Sequence, residues 1–204
     1  MNPETHNQTT SNKIYSQLST NNLATRNQKT SNKLTTKPYL CGLKLLTMRI
    51  SLLCIGKTDD KEITSLINYY LNRLPKHWNF EITEIPDVKN AKNLSPDLLK
   101  KEEAKLFLNH IDKNDLVVIL DEKGKQFTSR EFSQKIDTWM NSSVKKVHIL
   151  IGGAYGFSEE IYSRANEKMS LSKMTFTHQM IRLFIVEQLY RADQILQGKP
   201  YHND

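Results

Sequence analysis

Cysteine is nearly missing from this 204-residue chain: there are two, Cys41 and Cys54. One sits in a polar amino-terminal stretch and the other in an apolar run. That placement excludes a disulfide framework, fits a reducing, cytoplasmic setting, and makes Cys54 core packing. Long apolar runs are missing too. The run from Leu40 to Leu46 is short and broken by Lys44, so it fits no secretory signal, and nothing approaches the roughly 20 apolar residues of a membrane span. Glycine is scarce, with seven in all. None of them forms GxGxxG or GxxxxGK[ST], so the usual dinucleotide and nucleoside-triphosphate cradles have no support.

Acids are almost absent from residues 1–47, which hold one Glu against six Lys and Arg, with nine Thr, seven Asn, four Ser and no Phe or Trp. Without apolar periodicity, such a stretch cannot bury enough surface to offset the entropy of ordering, and we expect it to be disordered. A transit peptide would be similarly hydroxyl-rich and acid-poor, but only one Arg is present. The net charge is +5 on residues 1–47 and only +2 on residues 48–204, where 23 basic residues meet 21 acids. The basic pI therefore says little about a nucleic-acid groove in the folded part.

From Met48 onward, β-rich runs alternate with amphipathic stretches. Strands are expected at Arg49 to Ile55, Phe80 to Ile85, Leu116 to Leu120 and Val147 to Ile151, with a short strand or extended loop at Met169 to Met174. Helices are expected from Asp60 to Leu74, from Ser95 to Ile111, from the Thr128–Glu131 capping box to Met140, after Ser158, and from His178 to Gln197, where Gly198 is a stop. The class is α/β with a mainly parallel sheet.

Three signals close the chain in order: IGGAYG from Ile151, LSKMTFTHQM from Leu171 running into FIVEQLYRA from Phe184, and PYH from Pro200. Over residues 48–204 this order resembles the SPOUT-class methyltransferases that methylate N3 of a pseudouridine in bacterial 23S rRNA. MRISLLCIGK, from Met48, looks like that family's own amino terminus, so residues 1–47 also read as an over-long gene start. The resemblance implies helices on both faces of the sheet and a carboxyl-terminal trefoil knot, which no periodicity shows. It implies S-adenosyl-L-methionine as methyl donor, no metal, and cofactor contacts from Leu120, Gly152, Gly153, Gly156, Ser172, Lys173, Met174, Thr175, Phe176 and Thr177. Family members commonly carry Pro where this chain has Thr177, which leaves φ there less restricted.

Pseudouridine N3 is a weakly acidic imide nitrogen, so methylation needs help with proton removal and with charge spreading onto the flanking oxygens. An Arg suits the second task; a His, a Glu or a deprotonated phenol could serve the first. Glu187 and Arg191 share a helix face at i, i+4, which is ordinarily a weak surface ion pair. Here the surrounding apolar residues suggest a helix buried on two sides. The resemblance places Glu187, Arg191, Tyr201 and His202 in the active site. Lys123, Lys125, Lys173, Arg182 and Lys199 could contact phosphates, although scattered cations are usually solvated surface. The implied partners are 23S rRNA in the large subunit or 70S ribosome and a second copy of the chain. A silent ribosome-binding module, or a flavodoxin-like nucleotide protein, would share the α/β pattern.

Overall fold

The computed structural model describes residues 48–201; the expectations for residues 1–47 and for His202 lie outside the described residues. The elements are β1 (Arg49–Ile55), α1 (Lys61–Leu71), β2 (Glu81–Ile85), α2 (Pro96–Leu108), β3 (Leu116–Gln126), α3 (Ser129–Met140), β4 (Lys146–Ile151), α4 (Glu159–Arg164), β5 (Glu167–Ser170) and α5 (His178–Leu196). Their starts follow from local chemistry. Asp60, Ser95, Thr128, Ser158 and Thr177 each sit in extended backbone and accept a hydrogen bond from the amide three residues on, which satisfies a donor that the first turn leaves free. Thr128 and Glu131 form the full reciprocal box.

Five parallel strands form one sheet in the order β2-β1-β4-β3-β5. Its central strands are apolar on both sides, as a parallel sheet covered on both faces requires. On one face, Ile50, Leu52, Val118 and Ile149 pack with Ile136 and Trp139 of α3 and with Ile185, Val186 and Leu189 of α5, while α1 adds Tyr70 and Leu71. On the other face, Leu53, Val117, Ile119 and Leu150 pack with Ala104 and Phe107 of α2 and Ile161 of α4. Each fully buried aliphatic side chain contributes about 1.5–3 kcal/mol, so both layers hold the sheet. Cys54 lies in this core, and burial pushes its thiol up to about 11.

α2 ends at Leu108 rather than Ile111, and three further boundaries differ from expectation by more than one residue. α1 ends at Leu71 rather than Leu74; residues 72–74 tighten into a turn, with the Arg73 and Leu74 amides donating three residues back to Tyr70 and Leu71. β3 continues to Gln126: both Leu120 and Lys125 pair with Met169, so residues 121–124 bulge out between them. A Cβ on Gly124 would fall 2.5 Å from the Met169 backbone, so only glycine fits at this crossing. β5 covers Glu167–Ser170 rather than reaching Met174. The chain leaves the sheet there because Ser172 turns it: its hydroxyl accepts from the Met174 amide at 2.9 Å and its carbonyl accepts from the Ser170 hydroxyl at 2.6 Å.

At the amino-terminal end of the strands, His148 lies between the Ser51 hydroxyl, 2.6 Å from Nδ1, and Asp115, 2.9 Å from Nε2. All three are buried, and burial lowers the imidazole pKa despite the opposing pull of Asp115. No helix among the described residues is long and apolar enough to cross a membrane.

Candidate active site

The carboxyl ends of β3, β4 and β5 enclose a cavity of about 650 Å³. Its walls are the bulge after Leu120, the turn from Gly152 to Gly156, and the loop from Leu171 to Thr177, with Tyr162, His178 and Ile181 completing the lining. The glycine turn closes by a 3.1 Å bond from the Gly156 amide to the Gly153 carbonyl. Gly156 has φ +75°, a conformation that L side chains rarely adopt. A Cβ on Gly152 would lie 3.2 Å from the Gly156 backbone, a tight contact that the turn could meet only by giving a few tenths of an ångström.

Of the ten residues expected to hold a cofactor, Leu120, Gly152, Gly153, Gly156, Ser172, Met174, Thr175, Phe176 and Thr177 line this cavity. Lys173 does not; its exposed side chain sits in the same loop but outside the lining. Thr177 has φ −63°, a value proline also takes, and its hydroxyl accepts from the Met180 amide at 3.3 Å as the cap of α5. Threonine thus keeps a proline-compatible backbone and adds a cap. Met174 and Tyr155 are 73% and 57% exposed at the cavity rim. Phe176 is steadied by an edge contact with Phe184, with ring centres 4.9 Å apart.

Neither Asp121 nor Tyr162 was expected among the site residues, although Asp121 stands at one of the strand ends that the sequence marks out. The Tyr162 hydroxyl donates to Asp121 inside the cavity. Burial and that carboxylate push the phenol up to about 12. Asp121 was visible as an acid at a strand end; Tyr162, 41 positions away, carried no local signal. Among the lining residues the charged side chains are Asp121, Glu122 and Lys123, so acids outnumber bases around the cavity.

The three expected catalytic residues that the structure describes separate from this cavity within one chain. Glu187, Arg191 and Tyr201 do not line it, and Glu187 and Arg191 lie roughly 14 and 20 Å along α5 from His178 at 1.5 Å per residue. They do come together with each other. Arg191 Nη2 donates to Glu187 Oε1 at 2.5 Å, and the two side chains are only 27% and 16% exposed, so the pair is not the exposed surface bridge that its spacing alone would suggest. Gly198, at φ +64°, turns the chain back after α5 and lays Tyr201 against Tyr190, ring centres 4.9 Å apart. There the Tyr201 hydroxyl donates to Glu187 at 3.3 Å, and the Arg191 guanidinium lies 4.9 Å above the Tyr201 ring. Burial and the Glu187 charge hold the Tyr201 phenol well above its usual value, which disfavours a phenolate. The hydrogen bond to Glu187 also raises the Arg191 pKa, fixing its charge.

A second cavity of about 370 Å³ adjoins the first, sharing Met169, Ser170, Leu171 and Phe176. Gln188 lines it and donates to Glu187 at 2.7 Å, so only one side chain separates this space from the Glu187 cluster. Arg182, considered as a phosphate contact, is instead 1% exposed. It donates to the Ile55 carbonyl at 2.7 Å and to Thr58 Oγ1 at 2.9 Å, and pairs with Glu84 at 3.5 Å.

The family model described as predicted SPOUT methyltransferase matches residues 48–202. The chain belongs to this family. A protein named ribosomal RNA large subunit methyltransferase H from Christiangramia forsetii is 53% identical over 156 residues, 76% of this chain and 99% of that relative. One of the same name from Parabacteroides distasonis is 50% identical over 157 residues, 77% and 100% of the two. A solved probable methylase family protein from Haemophilus influenzae Rd KW20 overlaps with a TM-score of 0.43 at 13% identity, over 78% of this chain and 71% of that one. The SPOUT match starts where MRISLLCIGK starts and takes in the cavity, the cluster on α5 and the PYH end.

Proposed function

We propose that this protein transfers a methyl group from S-adenosyl-L-methionine to N3 of a pseudouridine in 23S rRNA of the large subunit or 70S ribosome, acting in the cytoplasm as a homodimer. The observation that carries this reading is the cavity: the loops expected to bind the methyl donor converge on it, in a chain about half identical to large-subunit rRNA methyltransferases along nearly their whole length. The residues present fit the donor. Backbone groups of the glycine turn and of the Ser172–Thr177 loop are available to an adenine edge, Leu120, Leu171 and Phe176 offer apolar surface to its faces, and Asp121 and Glu122 favour a cationic ligand. When bound there, S-adenosylmethionine supplies an electrophilic methyl on a sulfonium.

The protein's own work is to bring the nucleotide in and manage one proton. Arg191, held charged by Glu187, would stabilise negative charge growing on the imide oxygens. Tyr201, kept protonated, would serve as a hydrogen-bond donor. His202, next in the chain, is then the group left to accept the N3 proton. Because one chain's cluster does not line its own cavity, a second copy would bring its Glu187, Arg191 and Tyr201 to the rim, where Met174 and Phe176 stand exposed. The carboxyl-terminal trefoil knot enters this proposal through the SPOUT family match alone.

The test is incubation of the purified protein with methyl-labelled S-adenosylmethionine and ribosomes from cells lacking the modification, comparing uridine with pseudouridine targets. Pseudouridine-dependent label in 23S rRNA is expected. Cofactor binding without any label would instead favour a binding module that keeps the fold and not the chemistry.

A further inference from the structure

Glu103 is a buried carboxylate for which the methyl-transfer scheme has no use. It sits on α2, does not line the cavity, and is 6% exposed, although Glu is rarely buried without a partner. Its head group lies directly against the glycine turn. A Cβ built on Gly153 would fall 2.3 Å from Oε1 and 2.6 Å from Oε2, so the carboxylate fills the space that any side chain at 153 would need. The Gly153 amide lies close enough to oppose the upward pKa shift that burial imposes, a shift that Asp87 adds to. The neighbouring contact repeats the pattern: Phe107, one helical turn after Glu103, packs on Phe157 at the other end of the turn, with ring centres 6.0 Å apart. α2 thus braces both ends of a wall whose other side faces the ligand.

We propose that Glu103 is a positioning residue for methyl-donor binding, holding the Gly153–Gly156 turn in its ligand-ready shape from behind. The inference deepens the proposed function and rests on that reading for the identity of the ligand. Its physical basis is preorganisation: a turn held in place loses little freedom when a ligand docks, whereas a loose one must be ordered at the expense of affinity. The carboxylate acts as an acceptor and a filler at Gly153, so Gln, with the same shape and one acceptor oxygen, should substitute for it.

Calorimetry on the full chain would compare S-adenosylmethionine and S-adenosylhomocysteine binding to wild type, Glu103→Ala and Glu103→Gln. Glu103→Ala is expected to weaken both ligands by a similar factor, roughly tenfold, as for a lost hydrogen bond to a charged group. It should raise KM while leaving kcat at saturating cofactor near wild type. Glu103→Gln should stay within about threefold of wild type, the residual of a swap between charged and neutral acceptors. Amide exchange at Gly153 to Gly156 gives a reading that needs no ligand: faster in Glu103→Ala, unchanged in Glu103→Gln. Glu103→Asp, which withdraws the oxygens by one methylene, should repeat the alanine result if alanine does not fold. Unchanged binding and exchange in Glu103→Ala would overturn the proposal, as would Glu103→Gln binding as poorly as alanine, which would make charge the operative feature. If wild type binds neither ligand while the exchange pattern holds, the proposed function is what fails.

Discussion

Arg182→Ala separates a structural arginine from an RNA-binding one. The guanidinium is 1% exposed and makes two hydrogen bonds, to the Ile55 carbonyl and to Thr58, besides its pairing with Glu84. Truncation leaves the Ile55 carbonyl without this donor. Glu84 keeps the Thr58 amide and hydroxyl, each at 2.7 Å, so its loss is partial. Glu84 is 35% exposed, so solvent screens that pairing, and the main loss is the hydrogen bonding of the charged guanidinium, about 1.5–3 kcal/mol. For a domain of this size each kcal/mol moves the melting temperature by about 2–4 °C, so the midpoint should fall by roughly 3–12 °C. The assay is thermal and urea unfolding of the wild type and variant at pH 7.5, followed by methyl transfer measured well below both transitions. A variant within about 1 kcal/mol of wild type that had lost rRNA binding would refute the structural assignment and restore Arg182 as a phosphate contact.

Other outcomes follow from single contacts. Arg191→Ala should leave cofactor binding near wild type and lower turnover by about 10²–10³, the usual effect of removing one donor to a developing oxyanion; single-turnover kinetics with saturating ribosomes would show it. Gly124→Ala should destabilise the protein by about 1–3 kcal/mol or more, because its new methyl meets the Met169 backbone rather than a movable side chain. Thr177→Ala should cost about 1 kcal/mol through the lost cap of α5, while Thr177→Pro, already at a suitable φ of −63°, should be tolerated better than alanine; paired melting curves decide. His148 is buried with its pKa below the ordinary imidazole value of 6.5, so the unfolded chain takes up this proton first as pH falls. Its effect on stability is nil above that pH and grows unfavourable from about 6.5 down to the folded pKa. Urea midpoints should therefore drop between pH 7.5 and 5.5, and less steeply in His148→Asn.

What could be read in advance was local. Ser95-Pro96-Asp97 and Thr128 with Glu131 begin helices because the capping atoms lie within three residues of the amides they serve. The apolar runs at Ile50 and Leu150 announced buried parallel strands for a similar reason: burial on both faces leaves no alternation to misread. What escaped was set by partners far away in sequence. Arg182 looked like any other basic residue because Ile55 lies 127 positions before it. Residues 169–174 could be read as a short strand or an extended loop, and the structure divides them: the strand ends at Ser170, and the Ser172 turn takes the Met174 amide. Of the set given by resemblance, Glu187, Arg191 and Tyr201 do meet; their distance from the cavity in one chain was not visible in spacing.

The position of the cavity has its own physical cause. In a parallel α/β sheet a ligand ordinarily enters where neighbouring strands send their connections in opposite directions. Here that place is between β1, which leads to β2, and β4, which leads to β5 on the far side. Both strands end there in glycine, Gly56 and Gly152, as such a crevice would require. Yet it is already occupied: Arg182 reaches the Ile55 carbonyl from the α5 face, Asp87 lies against Gly56, and Glu103 lies against Gly153 from the α2 face. Arg182 and Glu103 are buried there, while Asp87, in the loop after β2, is exposed. The open volume is displaced one strand over, to the ends of β4, β3 and β5, where the β3 register shifts between Leu120 and Lys125 and the chain leaves the sheet at Leu171. Glu103, buried at the usual entrance, therefore also lies behind the wall that the open site uses. This accounts for a glycine turn here that carries none of the usual nucleotide fingerprints: the turn need not receive a pyrophosphate on a helix end, only present its backbone to a ligand from a braced position.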